Sequence, residues 1–450
     1  MPEHSWFRIM LRPLVRRLEG RPQRIKMLAN VAWIFGDNII RSSVRVVLGV
    51  WIARYLGPEQ FGVLSYVIAL VSIFSMLATL QLHPVVVQDL IKDPNSTNES
   101  LGTACFLQLI GSCVAFPLLL VIIEFARPNE PLVMAMGMII GSTLFIQASY
   151  VIKYWFDSQI AYKYVVWAEN AGFLIASLLK LVMIVMKAPL IAFAWATLVE
   201  SALVAAALVV IYTQRNGTRW RFAFARALKQ LSGSWPLLIA GLSFVFYSRV
   251  DQVLLGQMLG DAEVGVYSAA VRVSDIWLFL PGAIVGSVFP SIIAAKEKAD
   301  GSHEKRMQSL YDAMALFGTV IGIVFTLFAT PLMVLLFGTE FQQGGPVLAI
   351  YGWAGLFVGL DMVGWRYMVL EGLQRIAMYR HLLGAVLNVL GNLLMIPAFG
   401  IIGSAIASTL SFAIANYVFD LLNPKTRPIF VQKSRALLFH WVFTRSLRKV

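Results

Sequence analysis

Charge is the scarcest commodity in this sequence. Only 14% of its 450 residues are Asp, Glu, Lys or Arg, against about 25% in an ordinary soluble domain. No stretch of domain length is polar enough to stand alone in water, which excludes a soluble enzyme, with or without a single membrane anchor. Cysteine is nearly absent. Cys105 and Cys113 share one apolar segment, so neither a disulfide framework nor a cysteine metal cluster can be assembled. Five histidines (His4, His83, His303, His381 and His440) are scattered without metal-ligand spacing, and no GxxxxGKS/T loop is present to cradle a nucleotide. No enzyme activity, metal or cofactor is expected. Acidic residues are also few, 24 against 37 basic ones, for a formal charge of +13. Without base-stacking aromatics on a polar module, that excess points to anionic lipid rather than nucleic acid.

What the chain has is apolar length: 58% of it is hydrophobic and its mean hydropathy is +0.74. A crossing of the bilayer takes about 20 apolar residues. That ruler predicts an all-α, polytopic membrane protein with twelve spans, near 30–55, 62–82, 101–125, 132–157, 168–186, 190–212, 235–259, 264–294, 310–337, 346–370, 380–397 and 401–422. The segments outside and between alternate spans carry 27 Lys and Arg, whereas the other connections carry two, Arg127 and Lys187. By the positive-inside rule both termini are cytoplasmic. The predicted organisation is a basic N-terminal segment (1–28), a first lobe (29–212), a basic inter-lobe loop (213–234), a second lobe (235–422) and a basic tail (423–450). Arginines run through the first 24 residues where a cleavable signal would need an apolar core, so no signal peptide is expected. Both basic ends interleave apolar residues at helical spacing, either as helices lying on the inner leaflet or as frayed tails.

An internal repeat supplies the architecture. At an offset of 203 residues, Leu56-Gly57-Pro58-Glu59-Gln60-Phe61-Gly62-Val63-Leu64-Ser65 aligns with Leu259-Gly260-Asp261-Ala262-Glu263-Val264-Gly265-Val266-Tyr267-Ser268, with five of ten positions identical. Ala196-Thr197-Leu198 recurs more weakly as Ser408-Thr409-Leu410. An offset of six spans keeps the two halves in the same orientation. Two six-helix lobes facing one another across a central cavity follow, an arrangement able to open to either side.

The run Ile52-Ala53-Arg54-Tyr55-Leu56-Gly57-Pro58-Glu59-Gln60-Phe61-Gly62-Val63-Leu64-Ser65-Tyr66 resembles the opening of the polysaccharide exporter family. The twelve-span basic layout resembles that family over nearly the whole chain, and the sharp signal lies in this first hairpin and its echo. The resemblance implies a MATE/MOP-like fold. It also implies a Wzx-type flippase of the MOP superfamily, passing undecaprenyl-diphosphate-linked oligosaccharide (an O-antigen or exopolysaccharide repeat unit) from the cytoplasmic to the periplasmic leaflet of the bacterial inner membrane. Polysaccharide polymerase or assembly proteins would be its partners. Alternatives are a MATE-like multidrug or cation antiporter, a lipid II flippase, and a membrane sugar polymerase or glycosyltransferase. The last usually needs larger loops than these, and lipid II flippases usually carry two further helices.

Ionisable groups inside spans are expensive and point to a cavity or pathway. Asp37, Arg41 and Arg45 share one face of the first span, and Arg249 and Asp251 sit at similar depth in the corresponding span of the second half. Arg272 and Asp275 follow at i and i+3. Lys180 has no acid within one turn, and Lys153 and Arg366 end the fourth spans of the two halves. Arg41, Arg45, Lys153, Lys180, Arg249, Arg272 and Arg366 are therefore candidates to grip a diphosphate, because guanidinium forks bind phosphate bidentately and stay charged when desolvated. The other reading makes them internal ion pairs or headgroup contacts. Asp37, Asp251, Asp275 and Asp361 are candidates for coupling to a proton or sodium gradient, and the membrane potential is a third driving force. Trp33, Tyr150, Trp155, Tyr247, Trp277, Trp353, Asn388 and Asn392 are candidate sugar contacts, with packing or the interfacial belt as the other reading of the aromatics. Arg54, near the end of the first span, is expected to reach the outer headgroups.

Overall fold

The computed structural model describes residues 22–159, 161–215, 219–297 and 302–439, with backbone alone over 22–43. Residues 1–21 of the basic N-terminal segment (1–28) and the last eleven residues of the tail lie outside the described residues, as do the side chains of Asp37 and Arg41. The helices are α1 (Pro22–Thr79), α2 (His83–Lys92), α3 (Thr97–Ala126), α4 (Pro131–Gly141), α5 (Thr143–Gln147), α6 (Val151–Ser158), α7 (Lys163–Val185) and α8 (Leu190–Arg215) in the first half. The second half has α9 (Phe224–Met258), α10 (Asp261–Ile276), α11 (Phe279–Glu297), α12 (Ser302–Phe337), α13 (Gly344–Tyr351), α14 (Ala354–Leu370), α15 (Gln374–Asn416) and α16 (Arg427–Leu437).

Ten helical stretches among the described residues are long and apolar enough to cross a membrane. Two of them are too long for one crossing: the 58 residues of α1 would span about 87 Å, nearly three times a hydrocarbon core. Each is broken by a glycine outside the helical region, Gly57 (φ 68°, ψ 174°) in α1 and Gly400 (φ 59°, ψ −139°) in α15. The breaks restore the twelve segments expected from hydropathy.

The repeat is visible in the backbone. Gly260, aligned with Gly57, has nearly the same conformation (φ 102°, ψ 179°). Asn129 and Gly338 form a second pair of positive-φ turns, Lys187 and Gly400 a third, at offsets of 209 and 213. All six turns lie at one end of the bundle, here the hairpin end; the opposite, lysine- and arginine-rich end is the basic end. Helix packing is reciprocal at the hairpin end. A Cβ at Gly62 would come 1.8 Å from the carbonyl oxygen of Asp261, and one at Gly265 would come 1.9 Å from that of Pro58. Offset 203 maps each of these contacts onto the other, so α1 and α10 cross about a pseudo-twofold axis at a point that admits only glycine.

The core shows which way the molecule is open. Toward the hairpin end one continuous apolar cluster takes residues from both halves, including Phe61, Tyr66 and Phe74 with Val264, Tyr267, Phe337 and Phe341. Toward the basic end the core divides. One cluster draws on residues 82–227, another on residues 285–436. A shared core at one end and two separate cores at the other describe two lobes joined over the hairpin end, with cores that separate toward the basic end, where the first turns of α9 pack on the first half.

Two boundaries differ from expectation. Half of the expected inter-lobe loop (213–234) is helical, because Ala227, Gln230 and Ser234 give the first turns of α9 a buried face. These turns are fastened to the first half: Arg226 bonds to Asp93 (3.0 Å) and Glu99 (2.9 Å), and Lys229 to Asp89 (2.7 Å). The Arg226 hydrogen bond holds the Asp93 carboxyl below its usual range. In the tail, residues 427–437 form the ordered helix α16. Its buried face (Ile429, Lys433, Ala436) docks on the second half, with Phe430 stacked on Tyr417 at 4.9 Å.

Candidate functional site

Between the lobes, three helices bring charge to mid-depth. Arg249 of α9 and Asp275 of α10 face each other at 3.8 Å, with side chains 38% and 37% exposed. Charged groups this accessible in the middle of spans must face water rather than hydrocarbon. Arg272, one turn before Asp275, reaches across to the first half: its guanidinium lies 4.9 Å from the Phe61 ring and beside Gly49 of α1. A Cβ at Gly49 would sit 3.2 Å from Arg272 Nη1. Arg45, on the same face of α1 one turn before Gly49, has its guanidinium 5.6 Å from the Phe173 ring of α7. The structure therefore brings Arg249, Arg272 and Asp275 to the α1–α9–α10 junction, with Arg45 one turn away on the same face of α1; among the described side chains these are three cations and one acid.

Among the described residues, the other basic candidates each have a partner of their own. Lys180, expected to lie without an acid, is bound to Glu200 of α8 at 2.7 Å. Periodicity along α7 could not reveal a partner on the next helix. Lys153 pairs with Glu169 at 2.8 Å and covers the Tyr150 ring at 3.9 Å. Arg366 donates to the Val285 carbonyl at 3.4 Å and lies 5.7 Å from the Phe289 ring. Asp361 is salt-bridged to Arg380, not to Arg366. That pair belongs to a fully buried cluster near the basic end of the second half, in which Lys433 of α16 donates to Asp420 (2.7 Å) and to the Asn416 carbonyl (2.6 Å). Arg380 also approaches Asp420 at 3.6 Å. Burial lowers the Lys433 pKa, partly opposed by Asp420. Two acids balance two cations there, so the cluster is a structural bolt. Removing one partner of such a set strands the others at a cost of about 3–5 kcal/mol. Arg380→Leu is accordingly expected to lower thermal stability in detergent sharply; an unchanged melting profile would show that the cluster contributes nothing.

Asp251 is buried in the second half and has no cation within salt-bridge range among the described residues. Its carboxylate accepts from the Gln252 amide (2.8 Å), the Tyr267 hydroxyl (2.5 Å) and the Ser408 hydroxyl (3.3 Å). Asn388 donates to Ser408, and Asn392 links Asn388 to Ser404. Both asparagines are fully buried and belong to this network.

The residue that sequence reasoning passed over is Arg127. It comes from the first half, yet it grips Asp261 of the second through two nitrogens at 2.7 and 2.9 Å. It also bonds to Glu130 (3.3 Å) and the Gly256 carbonyl (3.2 Å), and its guanidinium covers the Tyr66 ring at 4.1 Å. Its side chain is 5% exposed. Arg54, exposed near the hairpin end, donates to the Leu335 carbonyl of the second half. Both arginines bridge the lobes at the hairpin end. The signal was present in Arg127, one of two basic residues on the side where basic residues are otherwise missing.

With this geometry in hand, comparison with known proteins is decisive on family. Residues 51–344 match the sequence profile of the polysaccharide biosynthesis protein family. The chain belongs to that family. It is 26% identical, over 199 residues, to a probable low-salt glycan biosynthesis flippase of Haloferax volcanii; the match covers 43% of this chain and 41% of that protein, so the chain spans less than half of that relative's length. Its fold is shared with a multidrug resistance MATE family transporter of the MOP superfamily in an inward-facing conformation, at TM-score 0.70 and 12% identity, covering 91% of this chain and 96% of that one. It is shared equally with the lipid II flippase MurJ in an inward closed conformation, at TM-score 0.69 and 13% identity, covering 93% of each chain. The family member described here is thus a multi-pass, all-helical membrane protein of MOP-type fold.

Proposed function

We propose that this chain flips a polyprenyl-diphosphate-linked oligosaccharide across the bacterial inner membrane by alternating access. The observation that carries the reading is the set of three arginines, Arg45, Arg249 and Arg272, with one described acid, Asp275, at mid-depth between two lobes whose cores separate toward the basic end. A diphosphate supplies the several acceptor oxygens that arginine forks match. The polyprenyl tail can stay in lipid while the head crosses. The positive-inside rule places the basic end, and with it both termini, in the cytoplasm, so the head enters from the cytoplasmic leaflet and leaves at the hairpin end. An organic cation would meet repulsion at the same cluster. Glycan assembly proteins would supply and consume the substrate.

We assign energy coupling to Asp251. A buried carboxylate held only by neutral donors changes the charge of the second lobe when it takes up a proton, and its network ties α9 and α10 to α15. Asp251→Asn is expected to retain substrate binding and lose the response of transport to an imposed pH gradient; an intact response would reject the assignment.

The reading is tested by thermal unfolding of the detergent-solubilised protein titrated with farnesyl diphosphate, farnesol or tetraphenylphosphonium. Stabilisation by the diphosphate alone is expected. Stabilisation by the organic cation alone would move the chain to the cation exporters.

A further inference from the structure

Outside the buried Arg380 cluster, the described ion pairs that join neighbouring helices within the membrane-spanning region differ in how tightly they close. Lys180–Glu200, Lys153–Glu169 and Arg127–Asp261 close at 2.7–2.8 Å, and in each the basic side chain is no more than 20% exposed. Arg249–Asp275 stands apart at 3.8 Å, beyond hydrogen-bond reach, with both partners more than a third exposed. The pair is attractive without being locked. Asp275 also lies one turn from Arg272, so a single carboxylate serves two guanidiniums that are held apart from any other acid among the described salt bridges.

Resting on the flippase reading above, we propose that Asp275 is a resident counter-ion that the substrate's diphosphate displaces, and that it sets the rate of release. Without substrate, the carboxylate offsets the repulsion between Arg249 and Arg272 and keeps them in place. A diphosphate brings more charge and more acceptor oxygens, and so takes over both guanidinium forks. When the lobes change over, Asp275 competes for the same forks and returns the head to water. A translocator needs that balance: its site must attract strongly enough to load and weakly enough to unload. Two or three arginines with no internal competitor would retain the diphosphate and hold the protein in one loaded state. The geometry favours competition over permanent pairing because the 3.8 Å gap leaves the guanidinium donors free to turn toward a ligand. Phe61 and Gly49 meanwhile fix the position of Arg272 from the opposite lobe.

The test uses the full chain and farnesyl diphosphate as the probe, with binding followed by titration calorimetry and turnover followed in proteoliposomes. Asp275→Asn is expected to bind the diphosphate about tenfold or more tightly, since a competing charge has been removed, and to transport more slowly. Arg249→Gln should bind weakly in the same assay. Asp275→Ser, neutral and smaller, gives the same comparison should the asparagine variant not fold. Wild-type binding with equal or weaker binding by the folded Asp275 variants would overturn the counter-ion role while leaving the flippase reading intact. No binding by the wild type would overturn both.

Discussion

Arg249→Gln is expected to reduce flipping of the lipid-linked glycan about a hundredfold while leaving the protein folded and abundant in the membrane. Among the described residues the side chain has one ion-pair partner, Asp275, at 3.8 Å and partly exposed, so the fold does not depend on it. A substrate diphosphate, in contrast, would lose a charge-assisted partner at a partly desolvated site, a loss of roughly 3 kcal/mol. The control is Lys92→Gln on the exposed surface at the basic end, which should be silent. The comparison that matters is abundance against activity. A structural ion pair lost from the interior would lower both together, as expected for Arg380→Leu. Loss of transport at normal abundance belongs to a binding residue.

The second large effect is expected at the hairpin end. Arg127→Glu sets a buried carboxylate against Asp261 and Glu130, where the wild type has a bidentate bond, and should destabilise the closed junction by about 3–5 kcal/mol. At about 1.4 kcal/mol per factor of ten, that shifts the balance between closed and open forms by roughly two to three and a half orders of magnitude. A cysteine placed at buried Ser268, in a background without Cys105 and Cys113, reports the change through its labelling by a membrane-impermeant maleimide from the hairpin side. Labelling should be slow with the native pair, fast in Arg127→Glu, and slow again in the Arg127→Glu, Asp261→Arg double variant. Fast labelling in all three would show that the pair does not hold the junction. Gly62 and Gly265 make the same point sterically, because any side chain at either position meets a carbonyl oxygen of the opposite lobe.

Hydropathy and the repeat made the fold legible. Twelve apolar segments are a property of composition, and the recurrence of Leu-Gly at offset 203 marks two residues whose backbone conformations differ little. The site was legible in part. Arg45, Arg249, Arg272 and Asp275 stood out because charge inside a span is costly wherever it occurs, and the structure sets Arg249 against Asp275 and Arg272 against α1 one turn from Arg45. Pairing was not legible. A helix face reveals partners three or four residues away, but Lys180 meets Glu200, Asp361 meets Arg380 and Arg127 meets Asp261 across helices. Such contacts depend on packing, which periodicity within one helix does not encode. Asn388 and Asn392 were misplaced for the same reason: polarity marked them for the cavity, and packing turned them toward Ser408 and Ser404 inside the second lobe.

The most direct test is made in proteoliposomes with a fluorescent polyprenyl-diphosphate oligosaccharide, measuring how fast the head becomes accessible on the opposite leaflet. Transfer by the wild-type protein that is lost in Arg249→Gln and in Arg272→Gln is the result expected. Uptake of an organic cation with no movement of the lipid-linked glycan, or glycan movement indifferent to both arginines, would contradict the account.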